Sequence, residues 1–300
     1  MVKSKYIIIA KTLRNTLGLK SSDRVLIITD SGMEKIARTF EFVSKSISKE
    51  TFFLKIKKTE RHGKEPPKKA AEIMKNFDVV MGLTTFSLTH TKAFINAHNN
   101  GIRIASLPGF NEKMFEALNI DYGRLEKECL KLKRILESSS GVRLTTPDGT
   151  DISFSIKGCK ITIDSGNPKN IINLPAGEVF LPPKKTRGRL VVGVDKKRAE
   201  IIIEKNRAKK IQKSNKLKKM LSVPGGRNVA EFGIGMNEKA KIIGNILMDE
   251  KVLGTCHIAF GNNIGFGGSV RSSIHQDFVL FKPTVEIDGK IIMKHGVPEW

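Results

Sequence analysis

The 300-residue sequence has few cysteines, few aromatic residues and no long apolar run. Its three cysteines, Cys129, Cys159 and Cys256, are far apart and form no Cys-x-x-Cys pair, which argues against a zinc knuckle or a disulfide framework and fits a reducing compartment. A membrane span needs about 20 apolar residues, and a signal peptide needs a longer apolar region than residues 6–10 provide before Lys11. The sequence therefore predicts a cytoplasmic protein without membrane segments.

Glycine-rich loops of the kind that bind nucleotides are absent as well. No G-x-x-x-x-G-K-[ST] motif occurs, and residues 29–32, which follow the first predicted strand, lack the spaced glycines of a dinucleotide loop. A nucleotide-cofactor function is therefore not expected. The composition, 39% hydrophobic and 28% charged, is nevertheless that of a folded globular protein.

Acidic residues are scarce, because 30 Asp and Glu stand against 53 Lys and Arg and leave a net charge of +23. The densest basic cluster spans residues 196–219, and from Asn206 onward it is predicted to be a helix with Ile211, Leu217 and Met220 on a partial apolar face. Clustered Lys and Arg attract phosphate regardless of sequence. Aromatic residues make up only 6% of the chain, however, and none lies in the basic segment to stack on bases. Specific nucleic-acid binding is therefore not expected.

The first 139 residues alternate between strand-like and helix-like segments. Short apolar or β-branched runs occur at residues 24–29, 51–56, 78–83 and 101–106, with helical patterns between them, as at residues 32–48 and 66–76. Strands separated by helices predict a layered α/β domain with a mostly parallel sheet. Residues 84–91 follow the third strand and are rich in hydroxyls, so Ser87 or Thr89 is predicted to cap the next helix, with contact to substrate as the alternative.

A domain boundary is predicted between residues 139 and 140. A charged helix over residues 121–137 ends at a serine-rich stretch, and two strand-like runs then flank residues 147–150, where Asp-Gly tolerates the positive φ of a tight hairpin turn. The pattern beyond this point stays largely β. Residues 1–139 are therefore predicted to form the α/β domain and residues 140–300 a mixed, β-rich α+β domain, each large enough to bury its own core.

Two histidines and an aspartate lie on predicted strands near the C-terminus. Residues 252–260 and 274–281 are short apolar runs separated by a glycine-rich loop. Alternate residues of a strand share a face, so His275 and Asp277 point to one side, and His257 on the other strand adds a third group of the kind that binds divalent metals. Spacing alone leaves a metal site and ordinary surface or core histidines equally open.

One carboxylate, Glu231, falls inside an otherwise apolar run. A buried carboxylate without a partner is strongly destabilising, so a metal ion or a basic residue such as Arg227 is expected beside it. Asp249 and Glu250 are further candidates for a base near this site. The adjacent Lys251 favours a surface turn there instead.

A long C-terminal segment resembles the thermophilic metallo-aminopeptidase family, the aminopeptidase T and aminopeptidase S group. It reads AEFGIGMNEKAKIIGNILMDEKVLGTCHIAFGNNIGFGG over residues 230–268 and continues with RSSIHQDFVL and KPTVEIDGKII. Upstream, NLPAGEVFLPP is similar to the family segment that carries its first metal-binding glutamate. The resemblance implies a homodimer and a pair of divalent metal ions, Zn, Co or Mn. It implies that the ions are held by Glu178, Glu231, His257, His275 and Asp277, with Glu231 also catalytic.

The family resemblance implies an aminopeptidase, a hydrolase that releases N-terminal amino acids from peptides through a metal-activated water. The chain departs from the family pattern where a tyrosine shortly follows the first of the two histidines. Its only tyrosines are Tyr6 and Tyr122, and residues 261–264 read Gly-Asn-Asn-Ile. This departure bears on peptidase turnover rather than on metal binding.

A different chemistry is compatible with the same residues. His257, His275 and Asp277 match the two-histidine, one-carboxylate triad that holds a single non-heme Fe(II). A ring-opening dihydroxypyridine dioxygenase resembles the same family, so a ring-cleaving dioxygenase acting on a small molecule is the alternative function. A metal-binding homologue without peptidase activity is the third possibility.

Overall fold

The structure is a computed structural model that describes residues 2–195 and 197–300. The helices are α1 Val2–Leu17, α2 Glu34–Ile47, α3 Lys68–Met74, α4 Lys92–Asn99, α5 Tyr122–Glu137, α6 Asn215–Met220 and α7 Ile246–Asp249, with 3-10 helices at Glu112–Leu118 and Ile264–Phe266. The strands are β1 Arg24–Thr29, β2 Glu50–Lys55, β3 Val79–Leu83, β4 Arg103–Ser106, β5 Gly141–Thr145, β6 Asp151–Ser155, β7 Thr162–Asp164, β8 Ile172–Asn173, β9 Glu178–Leu181, β10 Lys184–Val194, β11 Lys197–Glu204, β12 Arg207–Gln212, β13 Val229–Gly235, β14 Cys256–Gly261, β15 His275–Leu280, β16 Thr284–Ile287, β17 Lys290–Lys294 and β18 Val297–Pro298. Among the described residues, no helix has both the length and the apolar character needed to span a membrane.

Contacts within the chain divide it into two compact units, each built from several stretches of sequence. The first unit extends to Glu126 and also takes in Asp164–Ala176 and Glu238–Met248. The second unit comprises Lys127–Ile163, Gly177–Asn237 and Asp249–Trp300. The predicted boundary after residue 139 cuts the chain once, whereas each of these units combines several stretches of sequence.

The first unit contains a wholly parallel sheet in the order β2-β1-β3-β4-β8, and this confirms the layered α/β fold. Its central strands are buried along nearly their whole length, as expected for a sheet covered on both faces. The N-cap predicted at Ser87 or Thr89 is wrong. Thr91 caps α4 by accepting a hydrogen bond from the Phe94 backbone N–H, while the Ser87 hydroxyl donates to the Thr89 hydroxyl.

The second unit is β-rich, as predicted, and contains two sheets. The larger has the order β12-β11-β10-β6-β5-β16-β17-β18, and its β5–β6 hairpin turns at Gly149 with φ of 96°. The smaller, called the site sheet below, has the order β15-β14-β13-β9-β7. Phe154 of the larger sheet and Phe232 of the site sheet are in contact, with ring centroids 4.9 Å apart. The face of the site sheet that carries Phe232 therefore belongs to the core, and Glu231 and Gly233 lie on the opposite face.

The helix predicted from Asn206 through the basic segment is wrong. Residues 197–212 form the β11–β12 hairpin, whose turn at Lys205 and Asn206 has φ of 48° and 65°, and α6 begins only after the Ser214 cap. Buried residues alternate along these strands at Ala199, Ile201, Ile203 and Ala208, which is the strand period of two. In the part predicted to be helical, Ala208 is flanked by Arg207, Lys209 and Lys210, and these basic residues concealed the alternation in the sequence.

Candidate metal centre

The site sheet brings together all five residues that the sequence analysis selected as metal ligands. Its strands are antiparallel and in tight register. The register pairs Glu178 with Gly235, Gly233 with His257, Glu231 with Ala259, Ala259 with Asp277 and Gly261 with His275. Since residues two apart on a strand share a face, the five side chains project from the same face of four neighbouring strands.

Small residues alternate with these side chains and make room for them. Gly233 lies opposite His257, and a Cβ atom built at Gly233 would stand 2.0 Å from Nε2 of His257. Such a distance is impossible for real atoms, so the imidazole occupies the space that a side chain at position 233 would fill. The glycine is therefore part of the site, because its lack of a side chain leaves the space that the ring occupies.

Replacing Gly233 by alanine is therefore expected to displace the His257 ring and to weaken metal binding by more than about 10-fold, the loss typical of a misaligned ligand. The matched control is Gly193→Ala in β10, where a new Cβ meets no atom within 4 Å. Calorimetric titration of both proteins with Zn²⁺ measures the effect. Equal affinities in the two variants would show that His257 is not held by this contact.

The donor atoms form two groups that share Glu231. In the inner group, Nε2 of His257 lies 3.1 Å from Oε1 of Glu231 and 3.6 Å from Oε2 of Glu178. In the outer group, Nε2 of His275 lies 3.4 Å from Oε2 of Glu231 and 3.3 Å from Oδ1 of Asp277. Within each group the donor atoms are all within 4.8 Å of one another. Glu231 thus directs one oxygen to each group.

The two groups differ in their exposure. The side chains of Glu178, Glu231 and His257 are 6%, 8% and 0% accessible, so the inner group is buried. The His275 and Asp277 side chains keep 28% and 16% accessibility, so the outer group is open to solvent on one side. A substrate entering the site therefore meets His275 and Asp277 first.

The orientation of His275 is fixed by its other ring nitrogen. Nδ1 of His275 lies 2.8 Å from the Asn262 backbone carbonyl, which can only accept, so Nδ1 carries the proton and donates. The Phe266 ring packs against the imidazole in a T-shaped arrangement, with centroids 5.8 Å apart. Nε2 is consequently free to bind a metal ion, and the carbonyl contact is of the kind that orients metal-binding histidines.

Lys251 is a member of the site that the sequence analysis misplaced. The surface turn predicted around it is wrong, because the Lys251 side chain is only 1% accessible and pairs with Oε1 of Glu178 and, at 2.9 Å, with Oε1 of Glu250. Arg227, proposed as a partner of Glu231, donates instead to the Lys209 carbonyl. The usable signal in the sequence was a lysine standing between Leu247-Met248 and Val252-Leu253, on an apolar segment.

The shared carboxylate is held in its charged form by its neighbours. Burial alone would raise the pKa of Glu231, but the hydrogen bonds and charges of His257 and His275 bring it below its ordinary value. Burial would lower the pKa of His257, but its contacts with Glu231 and Glu178 raise it to about 9. Burial would also lower the pKa of His275, but Asp277 and Glu231 raise it well above the ordinary histidine value. Protons on both histidines therefore compensate Glu231 in the metal-free protein.

The pKa values of the other two acidic ligands, Glu178 and Asp277, are shifted in opposite directions. Burial raises the pKa of Glu178 to about 8, although the Lys251 ammonium acts to lower it. Burial also acts to raise the pKa of Asp277, but the charge and hydrogen bond of His275 bring it below its ordinary value. Glu250 is buried as well, and its pKa is raised. Three carboxylates thus lie on one face of the sheet, and Glu250, in the segment before β14, lies beside them with Lys251 as a shared partner of Glu178.

A divalent metal fits this set of residues. Oε2 of Glu178 accepts no hydrogen bond from any part of the chain that the structure describes, although it is buried and lies near Nε2 of His257. Carboxylate oxygens and imidazole nitrogens are the ligands that Zn²⁺, Mn²⁺ and Fe²⁺ take. Cations at the two groups would replace the protons on the histidines, so the residues present suit such ions.

Metal binding is expected to strengthen, and the metal-free protein to become less stable, as the pH rises from about 5 to 9. The folded metal-free state holds extra protons on His257, pKa about 9, and on Glu178, pKa about 8, both above their unfolded values. Their contribution to stability is present at low pH and is lost as the pH rises through the folded pKa values. A metal ion needs those groups deprotonated and releases the protons. Thermal melts with and without Zn²⁺ should therefore diverge towards pH 9; parallel melts would contradict this assignment.

Comparison with known proteins identifies the fold. No protein-family model matches the sequence, and no curated protein matches it significantly. The structure of 2,5-dihydroxypyridine dioxygenase from Pseudomonas putida KT2440 matches with a TM-score of 0.84 and 14% identity, over 98% of this chain and 96% of that chain. Wild-type AmpT from Thermus thermophilus, a metallo-aminopeptidase, matches with a TM-score of 0.69 and 15% identity, over 99% of both chains.

The chain therefore has a fold found in both a metallo-aminopeptidase and a 2,5-dihydroxypyridine dioxygenase. At these identities the likeness concerns the fold and not the activity. It supports the family resemblance seen in the sequence at the level of architecture. The residues of the site, rather than the fold, determine its chemistry.

Proposed function

We propose that the protein is a metal-dependent aminopeptidase that releases N-terminal amino acids from peptides. The observation that carries the proposal is the position of Glu231, which belongs to both donor groups and directs one carboxylate oxygen to each. A single metal ion needs only one such group, whereas two groups that share a carboxylate could hold a pair of ions. The inner group would hold one ion through Glu178, Glu231 and His257, and the outer group a second through Glu231, His275 and Asp277.

The net negative charge of the side chains in the site matches the charge of two divalent cations and one hydroxide. Glu178, Glu231, Glu250 and Asp277 can supply four negative charges, and Lys251 supplies one positive charge. Two divalent cations and one hydroxide would leave the buried cluster neutral, which is the state that a low-dielectric site favours. A single divalent cation would leave it with an uncompensated negative charge.

The side chains have separable roles in peptide hydrolysis. A pair of divalent ions, when bound, would activate water as a nucleophile and polarise the carbonyl group of the peptide bond to be cleaved. Glu231 stays deprotonated because its pKa is lowered, so it keeps both oxygens available as ligands. Glu250 is buried and burial raises its pKa, which makes its carboxyl a better proton acceptor than an exposed glutamate, so it is suited to take up and return a proton during the reaction. His275 and Asp277, at the open side, are placed to receive the substrate.

Ring cleavage by a mononuclear iron site is the second candidate function. Non-heme Fe(II) enzymes use two histidines and one carboxylate, and the site face carries His257, His275 and Asp277, with His257 in the inner donor group and the other two in the outer. The TM-score of 0.84 with a 2,5-dihydroxypyridine dioxygenase and the absence of the tyrosine of the aminopeptidase pattern favour this candidate. In that case Glu178 and Lys251 would form a structural ion pair beside a single iron.

Elemental analysis and two activity assays separate the candidates. The aminopeptidase proposal expects about two Zn, Co or Mn per chain and release of p-nitroaniline from aminoacyl p-nitroanilides, lost in His275→Ala and retained in the exposed control Glu299→Gln. The dioxygenase expects one iron per chain and oxygen consumption with a dihydroxypyridine. No metal after reconstitution would contradict both.

A cytoplasmic location, predicted from the sequence, and a homodimer, implied by the family resemblance, belong to the same proposal. Sedimentation of the purified protein tests the dimer, and a monomer at micromolar concentration would contradict it. Specific nucleic-acid binding is not part of the proposal, in spite of the net charge of +23. Retention on DNA that disappears at moderate salt would reflect the basic charge alone.

A further inference from the structure

The backbone places Lys251 against the inner donor group. A Cβ built at Gly235 would stand 2.2 Å from the Val252 carbonyl oxygen and 2.9 Å from that of Glu250, so the segment carrying Lys251 crosses directly over Gly235. Gly235 is the register partner of Glu178. The Asn237 backbone N–H also donates to the Lys251 carbonyl at 2.8 Å. The position of Lys251 beside Glu178 is therefore set by main-chain contacts and not by a chance rotamer.

The Lys251 ammonium is buried between two acidic side chains. It contacts Oε1 of Glu178 and lies 2.9 Å from Oε1 of Glu250, and the three side chains are 1%, 6% and 14% accessible. Lysine is among the residues most rarely buried completely, and a buried ammonium is tolerated only with anionic partners. The two buried carboxylates likewise need a cation between them, because they would otherwise repel each other.

We propose that Lys251 is a resident counter-ion that holds Glu178 and Glu250 in place before any metal binds. Its ammonium occupies one oxygen of Glu178 and leaves Oε2, which accepts no hydrogen bond from the described residues, turned towards His257. The inner group is thereby formed in the metal-free protein, with a single Glu178 oxygen available as a ligand. This inference rests on the proposed metal site and makes Lys251 a positioning residue for it.

The proposal predicts how stability depends on metal. In Lys251→Met the two carboxylates lose their cation, so the metal-free melting temperature is expected to fall by about 10 °C or more. A bound divalent ion then replaces the missing charge, and Zn²⁺ should raise the melting temperature of this variant more than that of the wild type. Lys216→Met is the matched control, since Lys216 makes one exposed ion pair with Asp195, and its removal should leave the melting temperature unchanged.

A double variant separates the counter-ion role from simple packing. Glu250→Gln combined with Lys251→Met removes one of the two uncompensated charges, so the metal-free melting temperature should rise above that of Lys251→Met alone. A packing role for Lys251 predicts no such recovery, because glutamine restores none of the lost volume. The same double variant decides the question if Lys251→Met alone does not fold, because it is then expected to yield folded protein.

The absorption of bound Co²⁺ gives a readout that a purely structural lysine would not change. Freed from Lys251, Glu178 can bind through both oxygens, so the visible Co²⁺ band should shift in Lys251→Met and stay at its wild-type position in Lys216→Met. The proposal is overturned by an unshifted band, by an unchanged metal-free melting temperature in Lys251→Met, or by a double variant no more stable than the single one. If the wild type binds no metal, the proposed function fails, while the metal-free melts still test Lys251 as the counter-ion.

Discussion

Replacing Glu231 by glutamine should remove metal from both donor groups at once and abolish turnover. The carboxylate is the one ligand common to the two groups, with Oε1 3.1 Å from His257 and Oε2 3.4 Å from His275. Glutamine keeps the volume but offers a neutral oxygen to one group and an NH₂ donor to the other. Changing a group that only orients a ligand costs about 10–100-fold in metal affinity, so the loss of the shared ligand should exceed about 100-fold at each group.

The measurement is metal content after dialysis against a metal-buffered solution, together with peptide turnover. The control is Glu299→Gln, the same chemical change at an exposed position near the C-terminus, which should bind metal as the wild type does. Because glutamine is close in shape to glutamate, the metal-free Glu231→Gln protein is expected to remain folded. Retention of one tightly bound ion per chain would show that Glu231 does not bridge the groups.

Local pattern was enough to bring together two residues of the outer group. The alternation of apolar and polar residues puts His275 and Asp277 on one face of a strand, and the structure confirms this in β15. The parallel α/β unit was equally visible, since buried strands such as β1 and β3 are continuous apolar runs bounded by helices. These features depend on neighbours within a few residues, so a single sequence contains them.

The inner group depends on pairing between distant strands, which local pattern does not contain. Glu178 stands 53 residues before Glu231, and only the antiparallel register of β9 with β13 brings the two together. Glu178 is predicted as a ligand only by the family resemblance, because the residues around it in the sequence are typical of a solvated loop. The surface turn predicted at Lys251 is wrong for the same reason, since an acid next to a lysine normally indicates an exposed segment. Its burial depends on distant parts of the chain that pack over this segment.

The substitution His275→Ala should separate the two metal positions and decide between the candidate functions. His275 belongs to the outer group alone, where Nε2 lies 3.3 Å from Asp277, whereas the inner group keeps Glu178, Glu231 and His257. With two ions in the wild type, the variant is expected to retain about one ion per chain. Turnover should fall by more than about 100-fold, because the open side of the site loses a direct ligand.

A mononuclear iron site predicts a different result from the same variant. There His275 would be one of three ligands, so its removal should release the only ion, and the metal content of the variant should approach zero. The matched control is Gln276→Ala, the next residue of β15, whose side chain projects to the opposite face and whose change should leave metal content as in the wild type. One ion retained in His275→Ala supports the shared role of Glu231, because only a second, complete donor group on the inner side can hold it.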